Sequence, residues 1–132
     1  MKLRIQGNYI RFRLTQSEVA RLAAGGRLEE STQFTAAASD FFTYVVEMAS
    51  SCKEVRAWRS DGQIGVTLPD DLVRAWAKTD QVAIEHSQPA GEGAVLRIAV
   101  EKDYRCLHSG KDEDGSDSFP NPNDAATARE PQ

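Results

Sequence analysis

Apolar and polar residues alternate from Tyr9 to Leu14 and again from Gln63 to Leu68, and a two-residue turn signal, Gly7-Asn8 or Asp61-Gly62, precedes each run. Period-two alternation beside such a turn predicts a β-hairpin. After the first run, Thr15-Gln16-Ser17-Glu18 has the spacing of a capping box, in which hydroxyl and carboxylate satisfy free backbone donors ahead of the Val19, Leu22, Ala23 stripe. Gly25-Gly26 then stops that helix, because glycine enters the left-handed cap conformation at little cost. Strands are predicted over 27–35 and 41–48. The same order returns further on, with strands at 55–59 and 63–68, a helix opened by Pro69-Asp70-Asp71 and carrying Leu72, Val73 and Trp76, and strands at 81–86 and 95–101.

Sliding the chain against itself by 54 positions places Ile10 on Ile64, Leu14 on Leu68, Val19 on Val73, Ala23 on Ala77, Val46 on Val100 and Glu47 on Glu101. Turns, helix starts and strand parity keep register in the same shift. The chain therefore reads as mainly β with two short helices (α+β), built from two fused ββαββ units at 1–50 and 53–101. Units of about fifty residues are too small to bury separate cores. Interleaved, they are expected to close a small β-barrel with pseudo-twofold symmetry, which would also remove exposed sheet edges. The barrel domain is expected over 1–104, followed by an acidic C-terminal extension at 105–132 whose last residues are disordered.

Composition changes this picture little. With 40% hydrophobic and 27% charged residues in 132, the chain can bury an ordinary core. No apolar run approaches the length of a membrane span, and Met1-Lys2-Leu3 passes straight into a strand pattern, which reads as a cytoplasmic protein. Cys52 and Cys106 are too few for a disulfide framework and read as reduced thiols.

Charge matters more, because the net −4 is unevenly spread: residues 1–17 carry only positive side chains. With Gly7-Asn8 as the turn, Arg4 faces Arg11 and Lys2 faces Arg13, so the four form one outward cluster. Like charges directly opposite one another destabilise a strand pair. Two readings relieve the conflict. Glu29, Glu47, Glu101 or the acidic tail neutralises the cluster within the protein, or an anionic partner does so from outside. On the second hairpin Trp58 is expected on the outer face opposite Gly65, beside Arg56, as structural cover or as an anchor for a protein partner. Trp76 and Tyr44 are assigned to the core.

Two resemblances add to these readings. The stretch 62–69, Gly-Gln-Ile-Gly-Val-Thr-Leu-Pro, followed by Leu72-Val73-Arg74 and Thr79-Asp80-Gln81-Val82, resembles the AbrB/MazE-type swapped-hairpin unit. The resemblance covers 55–101 well and the first unit only in outline. It implies a barrel, normally shared by two chains, that presents arginines to DNA. This sequence departs from that pattern after the turns, where Gln63 and Tyr9 stand at positions often basic in the DNA-binding family. Over nearly its whole length the chain also resembles a family of small uncharacterised bacterial proteins that share its opening MKLRIQGNYIRFRLTQSEV and a stretch like EKDYRCLH. That resemblance implies no activity.

The closing stretch offers little chemistry. Cys106-x-His108 lacks a second ligand pair at zinc spacing, and the Asp112, Asp114, Ser116 alternation lacks the glycine and glutamate of a calcium loop. Phe119 reads as an apolar anchor for an extension folded back across the domain. No nucleophile elbow, catalytic carboxylate pair or phosphate-cradling glycine loop is present, and neither cofactor nor metal is expected. The sequence thus points to a non-enzymatic binding or interaction module, a monomer or weak homodimer with a protein or small-ligand partner. The alternative is a nucleic-acid binder of the antitoxin or transcriptional-regulator type using Lys2, Arg4, Arg11 and Arg13.

Overall fold

A computed structural model describes residues 1–104, so the expectations placed on 105–132, among them the acidic extension, Cys106 and His108, lie outside the described residues. Each apolar alternation forms the strand it predicts. The strands are β1 (Lys2–Gln6), β2 (Tyr9–Leu14), β3 (Leu28–Gln33), β4 (Phe41–Ala49), β5 (Arg56–Ser60), β6 (Gln63–Pro69), β7 (Ala83–Pro89) and β8 (Val95–Lys102). Helix α1 (Gln16–Ala23) follows β2 and helix α2 (Asp70–Lys78) follows β6. Gly7 and Gly62 hold φ of 55° and 66° in the two tight turns, a region where a β-carbon would be strained.

Both helices begin where local chemistry dictates. The Thr15 hydroxyl accepts from the Glu18 amide at 3.3 Å while the Glu18 carboxylate accepts from the Thr15 amide at 2.9 Å. Pro69 is the cap residue of α2 rather than its first helical residue, and Asp70 and Asp71 occupy the first turn, where carboxylates oppose the positive helix end.

Two four-stranded sheets result, one ordered β1-β2-β8-β7 and the other β3-β4-β6-β5. We call them sheet A and sheet B. Each takes one hairpin from either half of the chain, joined at its centre by a parallel pair, β2 with β8 and β4 with β6. The ladders correspond closely. Tyr9 pairs with Arg97 and Gln63 with Thr43, residues 54 positions apart on both strands. Leu3 with Phe12 and Ala57 with Val66 correspond in the same way.

The inner faces and the helices share one interior. Phe12 and Leu14 from β2, Val66 and Leu68 from β6, Leu22 from α1, and Val73 and Trp76 from α2 are fully buried there. Burial of that apolar surface is the main force joining the two sheets. Trp76 also donates its indole N–H to the Val82 carbonyl at 3.2 Å, so its one polar atom is satisfied. Tyr44 lies at the margin, packed on the core with its hydroxyl donating to Glu30.

The expected closed barrel does not form: the molecule has two separate sheets. Closure would need backbone ladders between the end strands, β1 with β3 and β5 with β7. Side chains stand there instead. The Gln88 amide of β7 accepts from the Ala57 N–H of β5 at 2.9 Å and donates to the Ala57 carbonyl at 3.0 Å, taking both groups a ladder would use. On the opposite side the Met1 amine bonds Glu30 of β3 at 2.9 Å. The predicted strand at 81–86 is also displaced, because Thr79 turns the chain at the end of α2, its hydroxyl bonding the Ala75 carbonyl and the Gln81 amide.

Candidate functional site

The outer face of sheet A carries the charge that the opening residues announce. The hairpin register sets Lys2 opposite Arg13 and Arg4 opposite Arg11, all on the face away from Leu3, Ile10 and Phe12. Pairing of β2 with β8 adds Arg97 beside Tyr9 and Glu101 beside Arg13, and pairing of β7 with β8 adds Glu85 beside Ala99. Five basic side chains, Lys2, Arg4, Arg11, Arg13 and Arg97, therefore share this face with two acidic ones, Glu85 and Glu101.

Glu101 is the internal counter-charge. Its carboxylate accepts from Arg11 Nε at 3.1 Å and Nη2 at 3.2 Å, and from Arg13 Nη2 at 3.3 Å. Forked guanidinium contacts of this kind are the stronger sort of ion pair. Lys2 reaches Asp103 at 3.5 Å, just past the end of β8. Arg4 has no carboxylate partner among the described residues, and a shallow groove of about 270 Å³ opens between Lys2, Arg4, Arg11, Arg13 and Glu101. The Arg97 guanidinium carbon lies over the Tyr9 ring, 4.2 Å from its centroid, a cation–π contact that ties this charge to the sheet.

The outer face of sheet B is built differently on the same register. Trp58 pairs with Gly65, and a β-carbon at Gly65 would overlap Cζ2 of the indole and come within 2.8 Å of Cη2. The ring lies there because glycine leaves the space. Its N–H donates to the Thr67 hydroxyl at 3.0 Å, which in turn donates to Glu47 at 2.7 Å. Arg27 balances Glu47 and Glu29 at 3.9 and 3.5 Å. Arg56 stands next to this group, exposed and opposite Thr67.

A third cluster lies at the margin of the two sheets. The Met1 amine bonds Glu18 at 2.7 Å and Glu30 at 2.9 Å. Burial disfavours the charged amine, but hydrogen bonds and charge from both glutamates outweigh it and raise its pKa above the ordinary 8.0. Burial likewise opposes the Glu18 carboxylate, yet its bonds to the amine and to Thr15 lower its pKa below 4.5.

The structure thus brings Lys2, Arg4, Arg11 and Arg13 together, with Trp58 and Arg56 on the other sheet. Glu101, one of three carboxylates considered from sequence, is the one in contact, whereas Glu29 and Glu47 serve sheet B. Arg97 and Glu85 belong to the same face, although no motif in the sequence points to them. The alternation Arg97, Ala99, Glu101 marks them as outward-facing, but only the parallel pairing of β8 with β2 sets them beside the basic hairpin. Among the described residues no group of three His, Cys, Asp or Glu side chains is placed to hold a metal ion, and no helix is long and apolar enough to cross a membrane.

Comparison with known protein families matches residues 1–123 to a family of unknown function, DUF7009, and the chain belongs to that family. No curated protein and no solved structure matches it.

Proposed function

We propose that this member of the family is a binding module whose working surface is the outer face of sheet A, and that its partner is an acidic protein segment. The observation that carries the reading is the charge surplus of that face: five basic side chains against Glu85, Glu101 and, just past the end of β8, Asp103, with Arg4 lacking a carboxylate partner among the described residues. Internal pairing accounts for part of the cluster, since Glu101 takes Arg11 and Arg13 and Asp103 takes Lys2. What remains is positive potential over a groove, which steers an anionic partner and fixes its orientation. An acidic polypeptide suits the site better than duplex nucleic acid, because Glu85 and Glu101 interrupt the basic face, and a polypeptide can space its charges to avoid them whereas a duplex presents an unbroken phosphate backbone. Trp58, with its N–H satisfied and its ring seated on Gly65, acts in this reading as cover for sheet B.

The test is binding of fluorescein-labelled hexaglutamate and of a random-sequence duplex DNA to the full chain, across a salt series. Hexaglutamate is expected to bind at low salt and to be released as screening rises. Arg4→Glu should abolish that binding, and Arg56→Glu, on the opposite sheet, should leave it unchanged. Binding of DNA without hexaglutamate would replace the acidic-segment reading with the nucleic-acid alternative. Binding of neither would remove the face as a working surface.

A further inference from the structure

The two sheets treat their equivalent edges differently. In β5 the Ala57 N–H and C=O point away from β6, and the Gln88 side-chain amide satisfies both. Leu3 of β1 stands 54 positions earlier in the same register, opposite Phe12 as Ala57 is opposite Val66. Identical two-residue turns impose the same alternation of bonded and open pairs, so Leu3 and Ile5 turn their backbone groups away from β2. β1 is an end strand of its sheet; the Met1 amine just before it bonds Glu30 of β3, but among the described residues no hydrogen bond reaches the Leu3 and Ile5 backbone groups on that edge. Its residues are exposed except for half-buried Leu3.

An open edge accepts an added strand, and the side chains beside it specify which strand fits. On the outer face an incoming strand meets Lys2 and Arg4; on the inner face it meets Leu3 and Ile5, the latter 54% exposed. Cross-strand neighbours favour opposite charge on the first face and apolar side chains on the second. The geometry points to β1 as the docking edge for an extended peptide in which acidic and apolar residues alternate. This rests on the acidic-segment reading above and adds the backbone conformation and the sequence pattern of the partner. A second copy of β1 is a poor occupant, because its lysine and arginine would face the same charges. The run 111–117 of this chain is another poor fit, since Asp112, Glu113, Asp114 and Asp117 fall on both parities and no apolar residue alternates with them.

The experiment uses the full chain and a fluorescein-labelled octapeptide of alternating glutamate and valine, read by polarisation. Two further peptides carry N-methyl groups, one on its glutamate nitrogens and the other on its valine nitrogens. In an added strand only one of these sets points its N–H groups at β1. One methylated peptide is therefore expected to lose at least about tenfold in affinity, comparable to one net backbone hydrogen bond, while the other binds like the parent. Amide exchange at Leu3 and Ile5 should slow by at least about tenfold at saturation. Equal binding of both methylated peptides, or unchanged exchange at Leu3 and Ile5, overturns strand addition while leaving the acidic-segment reading intact. Failure of hexaglutamate and the octapeptide alike overturns both.

Discussion

The hairpins β1–β2 and β5–β6 share turn length, register and a central parallel neighbour, yet their outward side chains have little in common. Lys2 corresponds to Arg56, Arg4 to Trp58, Arg11 to Gly65 and Arg13 to Thr67, so the pairs Lys2–Arg13 and Arg4–Arg11 match Arg56–Thr67 and Trp58–Gly65. Even the neighbouring carboxylate is kept, as Glu101 beside Arg13 and Glu47 beside Thr67. In sheet A that carboxylate is shared by two guanidinium groups and charge is left over; in sheet B it ends a hydrogen-bond chain from a neutral ring. The lesson is that a backbone plan fixes which positions face outward, and the residues placed there decide whether a face is sealed or remains available.

Three perturbations test that contrast. The largest effect is expected from Gly65→Ala, because the added carbon collides with an indole held by Thr67 and must displace it. Overpacking of this sort costs about 1–3 kcal/mol. Urea denaturation should show that loss, together with a shift in Trp58 fluorescence; an unchanged midpoint would mean that the ring is not seated as described. Next comes Gln88→Leu, which strips both partners from Ala57 and makes the β5 edge resemble that of β1. Leaving those partly buried groups unmet should cost about 1–2 kcal/mol. Faster amide exchange at Ala57 would confirm the cause.

The smallest effect concerns the opposite margin, where the Met1 amine joins Glu18 and Glu30 in place of a Gln88-like bridge. The amine's pKa is raised on folding, so its contribution is complete below about pH 8 and fades as pH climbs through the folded value. Glu18's is lowered, so its contribution is complete above about pH 4.5 and fades as pH falls through the folded value. A shallow stability plateau between these limits is expected in thermal melts, and Glu18→Gln should flatten its acidic shoulder.

Much of this arrangement was legible along the chain. The alternations 9–14 and 63–68, the two tight turns and the Thr15–Glu18 capping box are short-range features, and each formed where the pattern placed it. The outward cluster of Lys2, Arg4, Arg11 and Arg13 followed from turn length alone, since two-residue loops leave no freedom in register. Trp58 opposite Gly65 followed by the same logic. Barrel closure did not, because it depends on strands that meet only through tertiary packing. Nothing local to Gln88 signals that its amide will take both polar groups of Ala57, 31 residues away in sequence.

By itself, then, the sequence determined the elements, their faces and the inner stripe of Phe12, Leu14, Val66 and Leu68, because periodicity and turn chemistry act within a few residues. The tertiary structure alone decided that the strands form two separate sheets, that Glu101 serves Arg11 and Arg13, and that among the described residues no backbone partner meets the outer edge of β1. Those outcomes turn on side chains and edges brought together from distant parts of the chain, where the balance of backbone ladder against side-chain bridge is set by the packing of both sheets on one core.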